Sequence, residues 1–497
     1  MSDSGRAHET KAADPQALAK AATGIRGLDD VLDGGLPAGR TTLLSGGPGT
    51  GKTVLALEFL VRGAMAGRPG IFVSFEERAE AVRANAATLG WDLAALEDSG
   101  RLNVVHAAPP VRSVRSGDFD IQGLLAVLGA QVEALGAGRI VLDAVDQLFR
   151  TFEDPERERN ELHHLHEWLL ERGLTAILTL KAQPGGDLVY PFLGFLADCM
   201  IHLDQRMESQ VRIRRLQVVK FRGSSFLSNE YPYLISSRGV VVMPVSMVAL
   251  GEIDRDDRVS SGHPALDEVL GGGYREGSTV LVSGPTGVGK TTLASLFACA
   301  ACGRGEPVLY VSFEEAAGTL VAGMHSAGID LGPHLERGLL RIVSTMPEAK
   351  GTEEHLFDVL TAVEEIGARH IVVDAVSACH RLGSEAAAFD FMVRLVSETK
   401  PLGVTCLLTD QTANQSMAHE ISSIGVSSLI DTIVALEYVT EEHGLRRRLL
   451  VLKSRASRHS NRFHWLEITD DGIALSSTAA ETGPLSTGDL PPRGSRG

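Results

Sequence analysis

The chain has 497 residues, 44% of them hydrophobic, enough to bury the cores of two or more domains. No uninterrupted apolar run reaches the ~18 residues of a membrane span, so no membrane association is expected. A formal charge of −16 argues against wrapping duplex nucleic acid by bulk electrostatics; five cysteines and an N-terminus without a signal-peptide core point to a reducing cytoplasm.

Residues 1–20 are expected to be disordered. TGIRGLDDVLDGGLPAGRTTLLSG (23–46) reads as a short helix around Leu28 and Asp29, then glycines, then an apolar strand. The strand runs into GGPGTGKT, Gly46 to Thr53, which fits G-x-x-x-x-G-K-[ST]. Glycines in that pattern let backbone N–H groups close around phosphates. Lys52 is expected to reach the β and γ oxygens and Thr53 to hold Mg2+, with Gly49, Thr50, Gly51 and Val54 completing the cradle. The expected cofactors are therefore ATP and Mg2+. A helix is predicted over Val54 to Ala66, its positive end at the phosphates.

IFVSFEE (71–77) is a buried strand that ends in Glu76 and Glu77. Phosphoryl transfer needs a group that accepts the nucleophile's proton beside the neutralised phosphate. Glu76 takes that role, and Glu77 assists with the metal or with orientation. RIVLDAVDQLF (139–149) reads as a strand whose Asp143 holds Mg2+ through its water shell. ELHHLHEWLLERG carries His163, His164 and His166; it lacks H-E-x-x-H spacing and reads as one face of an amphipathic helix. LTAILTL (174–180), LADCMIHLD (196–204) and VVKFRGSS (218–225) are further strands.

The pattern then restarts. SGHPALDEVLGGGYREGSTVLVSG (261–284) aligns with 23–46 and leads into GPTGVGKT, Gly284 to Thr291. Thr286, Gly287, Val288, Gly289, Lys290, Thr291 and Thr292 form the second cradle, and a helix is predicted over Thr292 to Arg304. Cys299 and Cys302 lie on that helix; with no second C-x-x-C they read as small core residues. LYVSFEE (309–315) supplies Glu314 as base and metal candidate, and Glu315 as its assistant. In both copies the first glutamate follows the P-loop lysine by 24 positions. HIVVDAVSACH (370–380) supplies Asp374 for the metal, followed by strands VTCLLTD (404–410), LIDTIVALE (429–437) and VLKSRASR (451–458).

Strands alternating with helices predict an α/β protein of two tandem P-loop domains, each a mostly parallel sheet flanked by helices, with a meander at one edge. The first domain is placed at 21–250, a linker at 251–261 and the second domain at 262–475. The Ser-, Thr-, Gly- and Pro-rich 476–497 is expected to be disordered.

The tandem P-loops, the glutamate pairs and the K-x-R strands resemble KaiC, a family of RecA-like clock ATPases. GWDL (90–93), EYPY (230–233), RVSSG (258–262) and DTI (431–433) carry the same resemblance. It covers about 21–475 and implies two RecA-like domains in a double-ring homohexamer with nucleotide between subunits. Lys220, Phe221, Arg222 and Ser224 would complete a neighbour's first-ring site, and Lys453, Ser454, Arg455, Ser457 and His459 a neighbour's second-ring site. The chain departs from the family at Phe226, where a histidine is expected, and at Ala456, opposite Gly223. The resemblance further implies ATP hydrolysis in the first ring and autophosphorylation of adjacent hydroxyls in the second. Alignment on Ala418–His419 and Asp431–Ile433 places the acceptors at Ser427 and Ser428; the first repeat has Phe192 to Phe195 there. The protein would then act as a circadian-type or signalling timer, with a KaiB-like partner. The short 476–497 tail gives no ground for a KaiA-type activator. Two other readings stay open: a RecA- or helicase-like nucleic-acid motor, against which the acidic balance and 5% aromatic content speak, and a scaffold that uses ATP to hold a hexamer.

Overall fold

The computed structural model of the protein describes residues 18–107, 121–149, 152, 154–182, 191–208, 211–243, 257–382, 385–412, 429–441, 444–455, 457–470 and 472–477. The chain divides into two compact units, Met1–Val245 and Ser246–Gly497, each containing a nine-stranded sheet. Among the described residues no helix is long and apolar enough to cross a membrane.

In the first unit the strands of this sheet are β1 (Thr41–Gly46), β2 (Gly70–Ser74), β3 (Leu102–His106), β4 (Arg139–Asp143), β5 (Thr175–Lys181), β6 (Cys199–Glu208), β7 (Val211–Phe221), β8 (Glu230–Ser236) and β9 (Gly239–Val242). They lie in the order β9-β8-β7-β6-β1-β5-β4-β2-β3. Strands β1 to β6 pair in parallel, and β6 to β9 form an antiparallel meander on one side. Continuous apolar runs suit the parallel part because both of its faces are covered. Leu44 and Phe72 enter one core with the helix Lys52–Met65; Leu43, Ile71 and Val73 enter another with the helices Ile121–Leu135 and Pro155–Glu171.

The second unit repeats this with β10 (Thr279–Gly284), β11 (Val308–Ser312), β12 (Leu340–Ser344), β13 (His370–Asp374), β14 (Thr405–Gln411), β15 (Thr432–Glu441), β16 (Gly444–Ser454), β17 (His464–Thr469) and β18 (Gly472–Ser477). The order is β12-β11-β13-β14-β10-β15-β16-β17-β18. Even the register irregularity of the hairpin recurs, between Met200 and Ile201 and between Ile433 and Val434.

Several expected boundaries shift. The P-loop helices span Lys52–Met65 and Lys290–Gly303, two residues earlier than predicted at the start. Gly51 and Gly289 take left-handed φ of 87° and 114°, which ends the loop and makes the lysine the first helical residue. The hairpin strands β7 and β16 begin well before the predicted 218 and 451, because Arg212 to Arg215 and Arg446 to Arg448 already pair across the hairpin with residues 204–207 and 437–439. The histidine run lies on Pro155–Glu171, whose Leu162, Leu165, Trp168 and Leu169 are buried while His163 and His164 are exposed. Cys302 is a core residue and Cys299 packs against the same core. Of the expected linker, residues 251–256 lie outside the described residues.

Candidate active site

Both phosphate loops leave the C-terminal ends of central strands. Gly46 must be glycine: a Cβ there would meet Leu203 O at 2.6 Å and Thr50 Oγ1 at 2.8 Å. A Cβ on Gly284 would meet Leu436 O at 2.5 Å. The side chains of Val288 and Thr50 are buried, so in the cradle they offer backbone groups. Tyr233, on β8, donates its hydroxyl to Thr50 O and pins the first loop from the meander side.

Lys52 Nζ donates to Gly46 O at 2.8 Å and Gly47 O at 2.9 Å; Lys290 Nζ donates to Gly284 O and Pro285 O, each at 2.9 Å. Each lysine is thus folded over its own loop. Burial lowers the Lys52 pKa, with Asp143 and Asp146 pushing it back up. Burial likewise lowers that of Lys290, against Asp374, Glu314 and Asp410.

The glutamate pairs sit just past β2 and β11. Ser74 Oγ accepts the Glu77 N–H at 2.9 Å and Ser312 Oγ the Glu315 N–H at 3.1 Å, tight turns that carry the carboxylates over the sheet edge. In the first domain the pair separates. Glu76 Oε1 accepts from Lys181 Nζ at 2.5 Å and from Gln147 Nε2, whereas Glu77 Oε2 accepts from Asn85 Nδ2 at 3.0 Å. Burial acts to raise the Glu76 pKa, but the Lys181 and Gln147 hydrogen bonds and the Lys181 and Lys52 charges outweigh it and hold it low. In the second domain burial, with Asp374 and Glu314, raises the Glu315 pKa.

The two aspartates expected to hold the metal differ as well. Asp143 Oδ2 accepts from Thr53 Oγ1 at 2.9 Å and Oδ1 from Thr179. Asp374 Oδ1 accepts from Thr409, but Oδ2 accepts from the buried Tyr310 hydroxyl at 2.9 Å, where the first domain has Phe72. Among the described residues no group of three or more His, Cys, Asp and Glu side chains could hold a metal unaided. The donor chemistry suits Mg2+, which keeps several waters and takes phosphate oxygens with one or two protein oxygens.

The K-x-R residues point away from these loops. Lys220 Nζ donates to Gly194 O at 2.8 Å and Ala197 O at 2.7 Å, and Arg222 Nη2 to Phe195 O at 2.7 Å. Lys453 Nζ donates to Ile430 O at 2.7 Å, and Arg455 lies 3.8 Å from Asp431. Register explains it. Phe221 pairs with Cys199 and Cys199 with Thr42, at the start of β1, whereas the phosphate loop follows Gly46 at its end. Four residues along a strand are about 13 Å. Ser454, Thr432 and Val280 repeat the arrangement at the start of β10.

The other predicted residues fall nearby. The Phe221 side chain is buried in the core with Lys20 Nζ 3.9 Å from its ring centroid, which leaves its backbone to meet a nucleotide. Ser224 Oγ accepts from Lys20 at 2.5 Å, Ser454 Oγ lies 3.4 Å from Thr432 Oγ1, and Ser457 Oγ donates to Leu270 O at 3.3 Å. His459 Nδ1 is buried without a hydrogen bond, and Phe226 packs against the first core. Ser427 and Ser428 lie outside the described residues. Lys181, Gln147, Tyr310, Thr179 and Thr409 were not singled out in the sequence. The available signal was the exchange at aligned positions, Lys181 against Gln411 and Phe72 against Tyr310.

Two P-loops on two parallel-sheet domains, each facing an acidic strand end, define a tandem RecA-like nucleotide-binding ATPase. The family described as "ATPase: KaiC" matches residues 21–246 and 259–480, one copy per domain. The chain belongs to the KaiC ATPase family. It is 38% identical over 475 residues to the circadian clock protein KaiC2 of Synechocystis, a match covering 95% of this chain and 84% of the relative. It is 35% identical to the circadian clock oscillator protein KaiC of Synechococcus elongatus, covering 92% and 89%, and 33% identical to the circadian clock protein KaiC3 of Synechocystis, covering 92% of each.

Proposed function

We propose that the protein is a homohexameric double ring that hydrolyses ATP in its first domain and phosphorylates its own Ser427 and Ser428 in its second. The observation that carries the assembly is the strand register. Lys220, Arg222, Lys453 and Arg455 lie at the sheet end opposite their own phosphate loops, so a neighbouring subunit's nucleotide is the one they suit. In the first domain Glu76 accepts a proton from water as it attacks the γ-phosphorus; the bond from γ-phosphorus to the bridging oxygen breaks, and ADP leaves. In the second, the Ser427 or Ser428 hydroxyl is the nucleophile and Glu314 takes its proton. Mg2+, held by Thr53 and Asp143 or by Thr291 and Asp374, would offset charge on the phosphates. The relatives' names place such an ATPase in circadian timing, and we carry that role, with a KaiB-like partner, to this chain.

Size measurement with and without Mg-ATP tests the assembly: a hexamer-scale shift is expected, and a monomer indifferent to nucleotide would sink it. Mass spectrometry after Mg-ATP incubation tests the acceptors. Phosphate on Ser422 or Ser423 with none on Ser427 and Ser428 would show them misplaced.

A further inference from the structure

Lys181 closes β5, and its partner across the sheet is Gly46, where β1 turns into the phosphate loop. Its ammonium lies 2.5 Å from Glu76 Oε1 and 3.9 Å from Asp146 Oδ2. Asp146 is fully buried; its Oδ2 receives no hydrogen bond, and its Oδ1 accepts the Lys181 backbone N–H at 3.4 Å. Lys181 thus stands between Glu76 and Asp146 at the strand end beside the start of the phosphate loop.

The second domain keeps this frame and its glutamate but replaces the Lys181 and Asp146 charges, and it sets Asp410 near Lys290 where the first has Leu180. Gln411 pairs with Gly284, and its N–H donates to Ser377 Oγ at 3.2 Å. Ser377 stands for Asp146, Ala378 for Gln147 and Gln411 for Lys181. Whatever Lys181 does at the first site has no counterpart at the second.

We propose that Lys181 is a γ-phosphate-dependent latch on Glu76: without a γ-phosphate its ammonium holds the carboxylate, and a γ-phosphate in the loop competes for that ammonium. Glu76 then remains on Gln147, aimed at the site and released from its counter-ion. The latch rests on the reading of Glu76 as the first domain's base. Its ion pair exchanges easily because the Lys181 and Glu76 side chains are 35% and 40% exposed, and such pairs contribute little. A phosphate is the stronger partner, with more charge and three acceptor oxygens. Asp146 keeps the ammonium near both positions. The arrangement couples the base to the presence of a triphosphate, so the first domain distinguishes ATP from ADP by a contact that the second lacks.

The test uses the full chain carrying Lys290→Ala, so that binding reports the first domain. Equilibrium affinities for a β,γ-imido ATP analogue and for ADP are compared between this parent, Lys181→Gln, Lys181→Arg and Glu76→Gln. Lys181→Gln should lose about tenfold of the triphosphate preference, the scale of one charge-assisted contact, and Lys181→Arg should keep most of it. Glu76→Gln removes the competitor and should raise the preference about threefold or more. A Lys181→Gln preference within about twofold of the parent overturns the latch, as does a preference unchanged or lowered in Glu76→Gln; the latter decides even if Lys181→Gln fails to fold. ATP hydrolysis by Glu76→Gln is a separate readout: a normal rate refutes the base assignment, while the binding comparison still judges the ammonium's competition.

Discussion

Adjacent glutamates that look equivalent in the sequence have separate surroundings. Glu76 faces Lys181 and Gln147; Glu77 is tied to Asn85. Glu76→Gln alone should therefore account for most of the lost first-domain hydrolysis, about 10²–10⁴-fold, and Glu77→Gln for less than about tenfold. Steady-state turnover in a Lys290→Ala background separates the two. Comparable losses would refute the division of roles. Tyr310 donates to Asp374 from within the second core. Burial, reinforced by Asp374, keeps its hydroxyl protonated and donating. Tyr310→Phe gives the second domain the first domain's residue but strips a donor from a buried carboxylate, a change worth about 1–3 kcal/mol. Denaturant unfolding of the second domain should show that loss; an unchanged midpoint would mean that Asp374 is satisfied by other groups.

The P-loop helix is anchored from its middle as well as its start. Glu58 is fully buried on Lys52–Met65, accepts the Val240 N–H of β9 at 2.6 Å and pairs with Arg62 at 2.9 Å. Burial raises its pKa, against the Val240 and Arg62 hydrogen bonds. A carboxyl raised in the folded state contributes stability that is fully present below its unfolded value and lost as pH rises through the folded value. Thermal midpoints of the native chain should therefore fall across that window more steeply than those of Glu58→Gln, which keeps an acceptor for Val240 and cannot ionise. Parallel pH profiles would refute the shift.

At the scale of the whole molecule, the proposed ring divides the catalytic set between subunits. Arg222→Ala chains keep their own loop and base, and Lys52→Ala chains keep their basic strand. Neither alone should turn over ATP in the first ring. Mixed in a Lys290→Ala background they should regain hydrolysis, because some boundaries join an intact Lys52 to an intact Arg222. A supplied arginine is worth about 10³–10⁵ in rate elsewhere, so even a minority of repaired boundaries is measurable. No recovery after subunit exchange would place Arg222 outside the neighbour's site.

The sequence by itself determined the fold class, the two phosphate loops, both glutamate pairs and Asp143 and Asp374. These are local: glycines, a lysine and strand-end acids at fixed spacing describe backbone and chemistry within a single strand–loop–helix unit. It also marked Lys220, Arg222, Lys453 and Arg455 as outer-strand residues, but their distance from their own loops follows from two successive strand pairings. The tertiary structure alone decided which groups converge on Glu76 and on Asp374. Lys181 stands 105 positions from Glu76 and Tyr310 stands 64 from Asp374; each contact is made by sheet order and register rather than by spacing. The pleat explains Phe221, buried between Lys220 and Arg222: a residue inside a charged motif can belong to the core, because neighbours along a strand point to opposite faces.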